Sequence, residues 1–295
     1  DLYNPYNSNL RTSNHQDNMS AFVSVKDQKR GKTILGAEDG VNQSYCDLLF
    51  YVDATPGSSI DDPERPSIPD EGDKEEPKPD EDENVTGTLA FEDIWPSGGD
   101  YDMNDVIVEY ERKVYFDKKN IVTKIVDEFT PVHDGATYVN AFAYQIDAAQ
   151  IGDKITLPEG AILEKETSSI IVMSNAKQNI GNKYVVTREF NGSFLKNQLL
   201  SYNPYIIVKY SQGEQNRTEV HLPKHKATAY ANQSLIGSND DAYYIDRKGA
   251  YPFAIDIPML GFTPVTERNR IDSQYPGFAT WAKSMGNDCK DWYKK

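Results

Sequence analysis

Short runs of β-branched and aromatic residues, separated by turn-forming residues, recur along most of this sequence. In its second part they cover residues 106–110, 121–129, 140–146, 170–173, 184–190, 206–210 and 219–222. Val, Ile, Thr, Tyr and Phe favour extended backbone, and evenly spaced runs of them are typical of sandwiches and barrels. The sequence therefore predicts an all-β fold, mainly an antiparallel β-sandwich or jelly roll.

The end of the chain follows a different pattern. Between residues 276 and 293, Phe278, Trp281, Ala282 and Met285 recur at the three- and four-residue spacing of one α-helical face. We expect a short C-terminal helix that packs on the sheet, with Trp281 in the core and not acting as a platform for a ligand.

An acidic, proline-rich segment divides the chain. Residues 55–87 hold twelve acidic and three basic residues, −9 of the total formal charge of −15, and almost no apolar residue. Such composition cannot offset the entropy lost on ordering, which predicts a solvated linker. Residues 1–54 before it contain strand candidates at 21–25, 33–36 and 48–52, a small β segment. Residues 88–295 after it form the predicted sandwich domain.

Charge and hydropathy exclude several partners. A net charge of −15 repels the phosphates of nucleic acids and anionic lipid headgroups. No apolar run approaches the roughly 20 residues that a membrane-spanning helix needs, so we expect no direct membrane insertion by this chain. The sequence begins at Asp1 and not at methionine, which leaves room for an export signal or a lipid anchor upstream.

The chain has two cysteines, Cys46 and Cys289, far apart in sequence. They could form one disulfide in an oxidising compartment, but sequence spacing does not give the geometry that a disulfide requires. We favour two unpaired, half-buried thiols.

The densest polar cluster lies in residues 91–105. Two acids end one strand candidate, and three more precede the next, across a turn-forming Trp95-Pro96-Ser97-Gly98-Gly99 segment. Two carboxylates about 4 Å apart repel by about 4 kcal/mol at an effective dielectric constant near 20. No Lys or Arg occurs between residues 88 and 111, and every side-chain donor is a hard oxygen, which favours calcium over zinc, copper or magnesium. The predicted calcium ligands are Glu92, Asp93, Asp100, Asp102, Asn104 and Asp105.

The acidic segment allows two interpretations other than a calcium loop of this kind. Asp100, Asp102 and Asn104 match the first ligand positions of an EF-hand, and Glu111 matches the last. The match fails because Asp105 stands where that loop turns on glycine, and because a strand former follows where a helix should begin. The second alternative is that the acids are only turn formers that cap backbone amides.

The acidic motif has a degenerate echo earlier in the chain. Residues 34–52, ILGAEDGVNQSYCDLLFYV, repeat the order strand, Glu-Asp, loop, Asp, strand of residues 88–110. Glu38, Asp39 and Asp47 persist, whereas Asn42, Ser44 and Cys46 replace three of the later ligands. Metal affinity in this first copy should be weaker or lost.

Three segments carry a family resemblance: LAFEDIWPSGGDYDMNDVIVEYE, VHLPKHKATAYANQSLIGSNDDAYY and the closing PFAIDIPMLGFTPVTERNRIDSQYPGFATWAKSMGNDCKDWYKK. Together they resemble the LruC domain family, found in predicted surface lipoproteins of Bacteroidetes and of leptospires. The resemblance spans residues 85–295. It implies export, a surface lipoprotein context and a β-rich fold, and it supplies no established activity.

Other candidate sites are weaker. His221 and His225 are four residues apart, but Pro223 between them argues against a helical metal pair and favours surface or turn histidines. The aromatic segments 202–205 and 243–244 could stack on sugar rings. The sequence contains no G-x-S-x-G, Walker or H-E-x-x-H motif.

The sequence as a whole predicts an exported lipoprotein of the cell surface or outer membrane. It is expected to be a binding or structural protein and not an enzyme. Calcium is the expected cofactor, with adhesion or glycan binding as possible roles and a surface glycan or a protein as partner. The rival hypothesis is a glycan-processing hydrolase that uses a pair of carboxylates, whose pairing in space a sequence does not reveal.

Overall fold

The computed structural model describes residues 22–27, 32–37, 48–52, 67–68, 80–192 and 194–294. The chain divides into two compact units, Asp1–Lys78 and Pro79–Lys295. Among the described residues, no helix is both long and apolar enough to cross a membrane.

The described residues of the first unit form a four-stranded sheet with the order β3-β2-β1-β4. Its strands are β1 (Phe22–Asp27), β2 (Lys32–Ala37), β3 (Leu48–Val52) and β4 (Ser67–Ile68). Strands β1, β2 and β3 pair antiparallel, and β4 runs parallel to β1. The first three strands confirm the candidates at 21–25, 33–36 and 48–52. Strand β4 was not predicted.

The second unit is built from two antiparallel sheets and two short helices. The strands are β5 (Asp80–Phe91), β6 (Val106–Phe116), β7 (Val122–His133), β8 (Ala141–Gln145), β9 (Lys154–Thr156), β10 (Ile162–Glu164), β11 (Ser169–Met173), β12 (Tyr184–Glu189), β13 (Asn203–Val208), β14 (Thr218–His221) and β15 (Ala254–Ile257). The six-stranded sheet has the order β15-β5-β6-β7-β12-β9, and the five-stranded sheet has the order β10-β11-β8-β13-β14.

The core of this unit lies where aromatic residues of the two sheets meet. The ring of Phe142 on β8 lies 6.3 Å from that of Phe91 and 5.1 Å from that of Phe129, which belong to β5 and β7. Burial alternates along much of β7, as expected of a strand with one face on the core. The predicted all-β sandwich is therefore confirmed.

The short C-terminal helix is also confirmed, with differences in detail. Helix α1 spans Ile271–Gln274 and α2 spans Phe278–Lys283. Phe278 and Ala282 are buried, and the ring of Phe278 packs 4.8 Å from that of Trp292. Trp281 is half-buried, and Met285 is 64% exposed, because the helix ends before it. The apolar face is thus shorter than the sequence spacing predicted.

The predicted linker overlaps the second unit. Residues 80–87 belong to β5 and pair with β6, from Asp80 opposite Phe116 to Gly87 opposite Tyr110. The long β6 offers backbone partners along its length, and Asn84 donates a 2.7 Å hydrogen bond to Glu111. Backbone pairing therefore extends the strand through residues whose acidic side chains are poor strand formers. Most of residues 55–79 lies outside the described residues.

The echo noted in the sequence has a structural counterpart. Strands β2 and β3 form an antiparallel pair, with Ala37 opposite Leu48, just as β5 and β6 pair with Phe91 opposite Val106. In both hairpins, the first strand ends immediately before the Glu-Asp pair of its acidic segment. Residues 38–47, with Glu38, Asp39 and Asp47, lie outside the described residues.

Candidate metal centre

The acidic loop, residues 92–105, connects β5 and β6. Tyr101 and Met103 have left-handed backbone, each with φ of 55°, and both side chains are buried. The Tyr101 ring packs against Phe253 at 5.6 Å. No helix follows the loop, because residues 106–116 form β6. This rules out the EF-hand alternative.

Three of the six predicted ligands meet in space. Glu92, Asp100 and Asp102 each place one carboxylate oxygen within 4.8 Å of the others. Glu92 and Asp102 are 0% and 1% exposed, and Asp100 is half-buried. Three hard oxygen donors at this separation match part of the six to eight ligands that calcium takes.

Backbone amides fix two of these carboxylates. Glu92 accepts hydrogen bonds from the backbone N–H of Met103 at 2.7 Å and of Tyr101 at 3.3 Å. Asp102 accepts one from the backbone N–H of Arg268 at 2.9 Å. Gly99 completes the fit, since a Cβ there would lie 2.5 Å from Glu92 Oε2.

The electrostatics of the group is unfavourable without a cation. Burial, followed by the charge of Asp105, holds the pKa of Glu92 well above its ordinary value. Burial also raises the pKa of Asp102 to about 6. Among the described residues, no ion pair reaches Glu92, Asp100 or Asp102. A bound cation would supply the missing positive charge.

Asp93 and Asp105 form a second acidic pair beside the first group. The backbone N–H of Asp93 donates to Asp105 Oδ2 at 2.7 Å, and Asn140 Nδ2 donates to Asp93 Oδ2 at 2.8 Å. Burial, followed by the charge of Asp93, raises the pKa of Asp105 to about 7. The charge of Asp93 therefore opposes the ionisation of Asp105.

Asn104, another predicted ligand, makes a contact outside the acidic loop. Its Nδ2 donates to the backbone carbonyl of Val265 at 3.0 Å, which ties the loop to the end of the chain. Its Oδ1 is buried without a hydrogen-bond partner. Asp134, which the sequence did not single out, is also buried and lies 3.5 Å from the Lys177 ammonium.

A later segment braces the loop. Trp95 is buried, and its Nε1 donates to Asp241 Oδ1 at 2.8 Å. Gly98 N donates to Asp240 Oδ2 at 3.0 Å. These two acids belong to the segment SNDDAYY, which is part of one of the stretches that carry the family resemblance. The resemblance marked this segment as notable, but the spacing of residues along the sequence could not predict that it contacts the acidic loop.

His221 is not the surface or turn residue that we expected. It is fully buried in β14, stacks on Tyr205 at 4.4 Å, and its Nε2 lies 3.0 Å from Glu219 Oε2. Strand geometry places it in the interior. With Arg217 and Glu164 these residues form a buried network of charged and polar side chains.

The aromatic candidates for sugar stacking are mostly packed inside. Tyr205 and Tyr244 are 0% exposed. The ring of Tyr202 is covered by the Arg112 guanidinium at 3.3 Å and lies 5.0 Å from that of Tyr144. Tyr243 is half-buried. These rings serve packing, and a flat face for a sugar is not available on the buried ones.

Cys289 is a free and exposed thiol. It follows α2 in a turn and has left-handed backbone with φ of 48°. The expectation of a half-buried thiol was therefore wrong for this residue, and Cys46 lies outside the described residues.

Comparison with known proteins gives a family and a fold. None of the curated proteins matches the chain. A crystal structure of a candidate lipoprotein from Bacteroides ovatus is similar, with a TM-score of 0.55, 19% sequence identity, and coverage of 72% of this chain and 74% of that one. At this identity the likeness concerns the fold. The profile of a domain of unknown function, DUF4842, matches residues 120–293, more than half of the chain, and the chain therefore belongs to the DUF4842 family.

Proposed function

We propose that this chain is an exported cell-surface protein with a binding or structural role and no catalytic activity. We further propose that a calcium ion binds and stabilises its acidic loop. The observation that carries the calcium proposal is the meeting of Glu92, Asp100 and Asp102, with one oxygen from each within 4.8 Å of the others. The raised pKa of Glu92, caused first by burial, marks a carboxylate that lacks a counter-charge. These side chains and nearby backbone carbonyls would supply ligands of the kind that calcium takes.

Export and a lipoprotein context rest on two likenesses. One is the resemblance of residues 85–295 to LruC domains of surface lipoproteins. The other is the similar fold of the candidate lipoprotein from Bacteroides ovatus. In the outer membrane or at the cell surface, an adhesive or glycan-binding role would suit a rigid β-sandwich.

A structural role for the ion follows from its ligands. Calcium held by several carboxylates has little open coordination and does not acidify water as zinc does. It would fix the acidic loop and, with it, the neighbouring surface around Trp95. Incubation with polysaccharide and peptide libraries tests the binding role. Retention without products supports it, whereas turnover that survives calcium removal contradicts it and favours a hydrolase.

Calorimetric titration tests the metal site directly. Wild-type protein should bind calcium, and Asp102→Asn should weaken binding by about tenfold or more, because a charged ligand is lost. Asp288→Asn is the matched control, since Asp288 is exposed and outside the loop. Unchanged calcium affinity in Asp102→Asn would show that the acids are turn formers only.

A further inference from the structure

One cavity of about 320 Å³ opens between the two sheets of the second unit. Leu89, Tyr110 and Phe129 of the six-stranded sheet line one side, and Tyr144 and Pro204 of the five-stranded sheet line the other. Ligand sites are typically concavities of roughly 300 to 1,000 Å³, lined mainly by apolar side chains with a few polar groups. This cavity fits that description, and it contains none of the predicted calcium ligands.

Arg112 and Asp127, which line the cavity, belong to a charged cluster with Arg188, which does not line it. Asp127 lies directly opposite Arg112 in the β6–β7 ladder, with Arg112 Nε 3.6 Å from Asp127 Oδ1. Arg188 Nη2 lies 3.3 Å from Asp127 Oδ2. One carboxylate thus serves two guanidinium groups. Among the described residues, neither arginine has a second carboxylate within ion-pair distance.

The shared carboxylate is already saturated. Asp127 accepts hydrogen bonds from the Tyr202 hydroxyl at 2.6 and 2.8 Å and from the Tyr144 hydroxyl at 3.3 Å. Arg188 donates to the Gln150 carbonyl at 2.7 Å and to the Tyr202 hydroxyl, and its buried Nε has no hydrogen-bond partner within the described residues. Arg188 does not line the cavity, so the guanidinium group available to a ligand is that of Arg112.

Arg112 has unused donors. Its Nε and Nη2 are buried and have no hydrogen-bond partner within the described part of the chain. The Tyr202 ring packs 3.3 Å from the guanidinium carbon and holds the group in place. A buried donor without an acceptor is costly, and a planar carboxylate matches a guanidinium edge in geometry and charge.

We propose that this cavity binds a small organic monocarboxylate with an apolar body, whose carboxylate pairs with Arg112. The mainly apolar lining selects the body, and the donors of Arg112, the one arginine among the lining residues, select the acid. Two further carboxylates, Glu111 and Asp256, also line the cavity and are accessible to solvent. They repel additional negative charge, so a monocarboxylate fits better than a phosphate dianion or a dicarboxylate.

A second cavity of about 310 Å³ shares Leu222, His225 and Asp256 with the first. Its other walls include Ile245 and Trp281. A longer apolar body can therefore extend from the first cavity into the second. This inference gives a ligand to the binding role proposed above but uses other residues, so its failure would leave the calcium proposal standing.

The test compares 3-phenylpropionate with its neutral isostere 3-phenylpropionamide by calorimetry, using the full chain in calcium and again in chelator. The acid should bind about tenfold tighter or more, as expected for a hydrogen bond to a charged group. Arg112→Gln should remove this preference, and Arg112→Lys should keep part of it. Lys165→Gln, which removes an exposed cation that lines neither cavity, should change nothing.

A second variant separates binding from stability. Leu222→Trp fills the cavity and leaves Arg112 intact, so it should abolish binding while the melting temperature stays near that of wild type. Equal affinity for acid and amide, or no binding of either at about 10 mM, would overturn the proposal. So would unaltered binding of the acid by Leu222→Trp.

Discussion

Two buried polar clusters of the second unit solve the problem of buried charge in opposite ways. In the Arg217 network, Arg217 bonds both oxygens of Glu164 at 2.7 and 2.8 Å and Glu219 Oε1 at 2.7 Å. In the acidic loop, Glu92, Asp100 and Asp102 come together, and no lysine or arginine among the described residues forms an ion pair with them. The first cluster is complete within the protein, and we propose that a calcium ion completes the second.

The pKa shifts of the two clusters differ accordingly. Burial acts to raise the pKa of Glu219, but hydrogen bonds from His221 and Thr228 and the charge of Arg217 outweigh it and lower that pKa. For Glu92, burial and the charge of Asp105 both act upward. Both carboxylates are buried, yet their pKa values shift in opposite directions. The charges and hydrogen-bond donors beside each carboxylate therefore set the direction of the shift.

Removal of the cation from the complete cluster should have the largest effect. Arg217→Gln leaves Glu164 and Glu219 buried without their counter-charge, which should cost about 3 to 5 kcal/mol of unfolding free energy. Chemical denaturation measures it. The control Arg270→Gln removes an exposed ion pair with Asp272 and should cost about 0 to 1 kcal/mol. Similar costs for the two variants would contradict the distinction.

Calcium removal should have the next largest effect. An ion that binds only the folded state stabilises it by about 2.7 kcal/mol at a concentration 100 times its dissociation constant. Wild-type protein should therefore melt at a lower temperature in chelator. The defect of Arg217→Gln should be the same with and without calcium, because its cluster needs no ion. An equal melting temperature in calcium and in chelator would contradict the proposed calcium site.

The stability of the protein without calcium should depend on pH through the acidic loop. In chelator, burial raises the pKa of Asp102 to about 6 and that of Asp105 to about 7, against about 3.9 in the unfolded chain. The folded state then holds protons that the unfolded state has released, so stability should fall as pH rises from about 4 to about 7. Saturating calcium favours the ionised carboxylates and should flatten or reverse this slope. Denaturant midpoints across this range measure it, and identical slopes in calcium and chelator would contradict the prediction.

The smallest expected effect is a gain in stability. Asp105→Asn removes one charge from the Asp93–Asp105 pair and offers Asp93 an amide donor, which should stabilise the chelated protein by about 1 kcal/mol. In calcium the gain should shrink or change sign if Asp105 is a ligand. Glu166→Gln, an exposed acid outside the loop, is the control. Loss of stability in chelator would show that the pair does not repel.

Much of the fold could be predicted because strand formers and turns are local signals. The strands that contain Val106, Leu48 and Tyr184 all begin at residues that the sequence had marked. The start of β5 at Asp80 could not be predicted, because pairing with β6 and not side-chain preference forms its first residues.

The candidate site was only partly predictable. The acids of the loop are close in sequence, and their mutual repulsion is a local argument. Val265 and Arg268, which hold Asn104 and Asp102, are 161 and 166 residues away and have no periodic relation to them. Asp127 was likewise invisible, because it breaks the apolar pattern of the core-facing side of β7 and reads as an ordinary strand charge.

The tether between the acidic loop and the end of the chain also sets an order of assembly. Tyr101 accepts a hydrogen bond from the backbone N–H of Ile271 at 2.8 Å, in addition to the contacts from Val265 and Arg268. During synthesis the β5–β6 hairpin can pair early, but these contacts require a segment made more than a hundred residues later. The predicted ligands therefore reach their final positions only after residues 265–271 have been made and have packed against the loop.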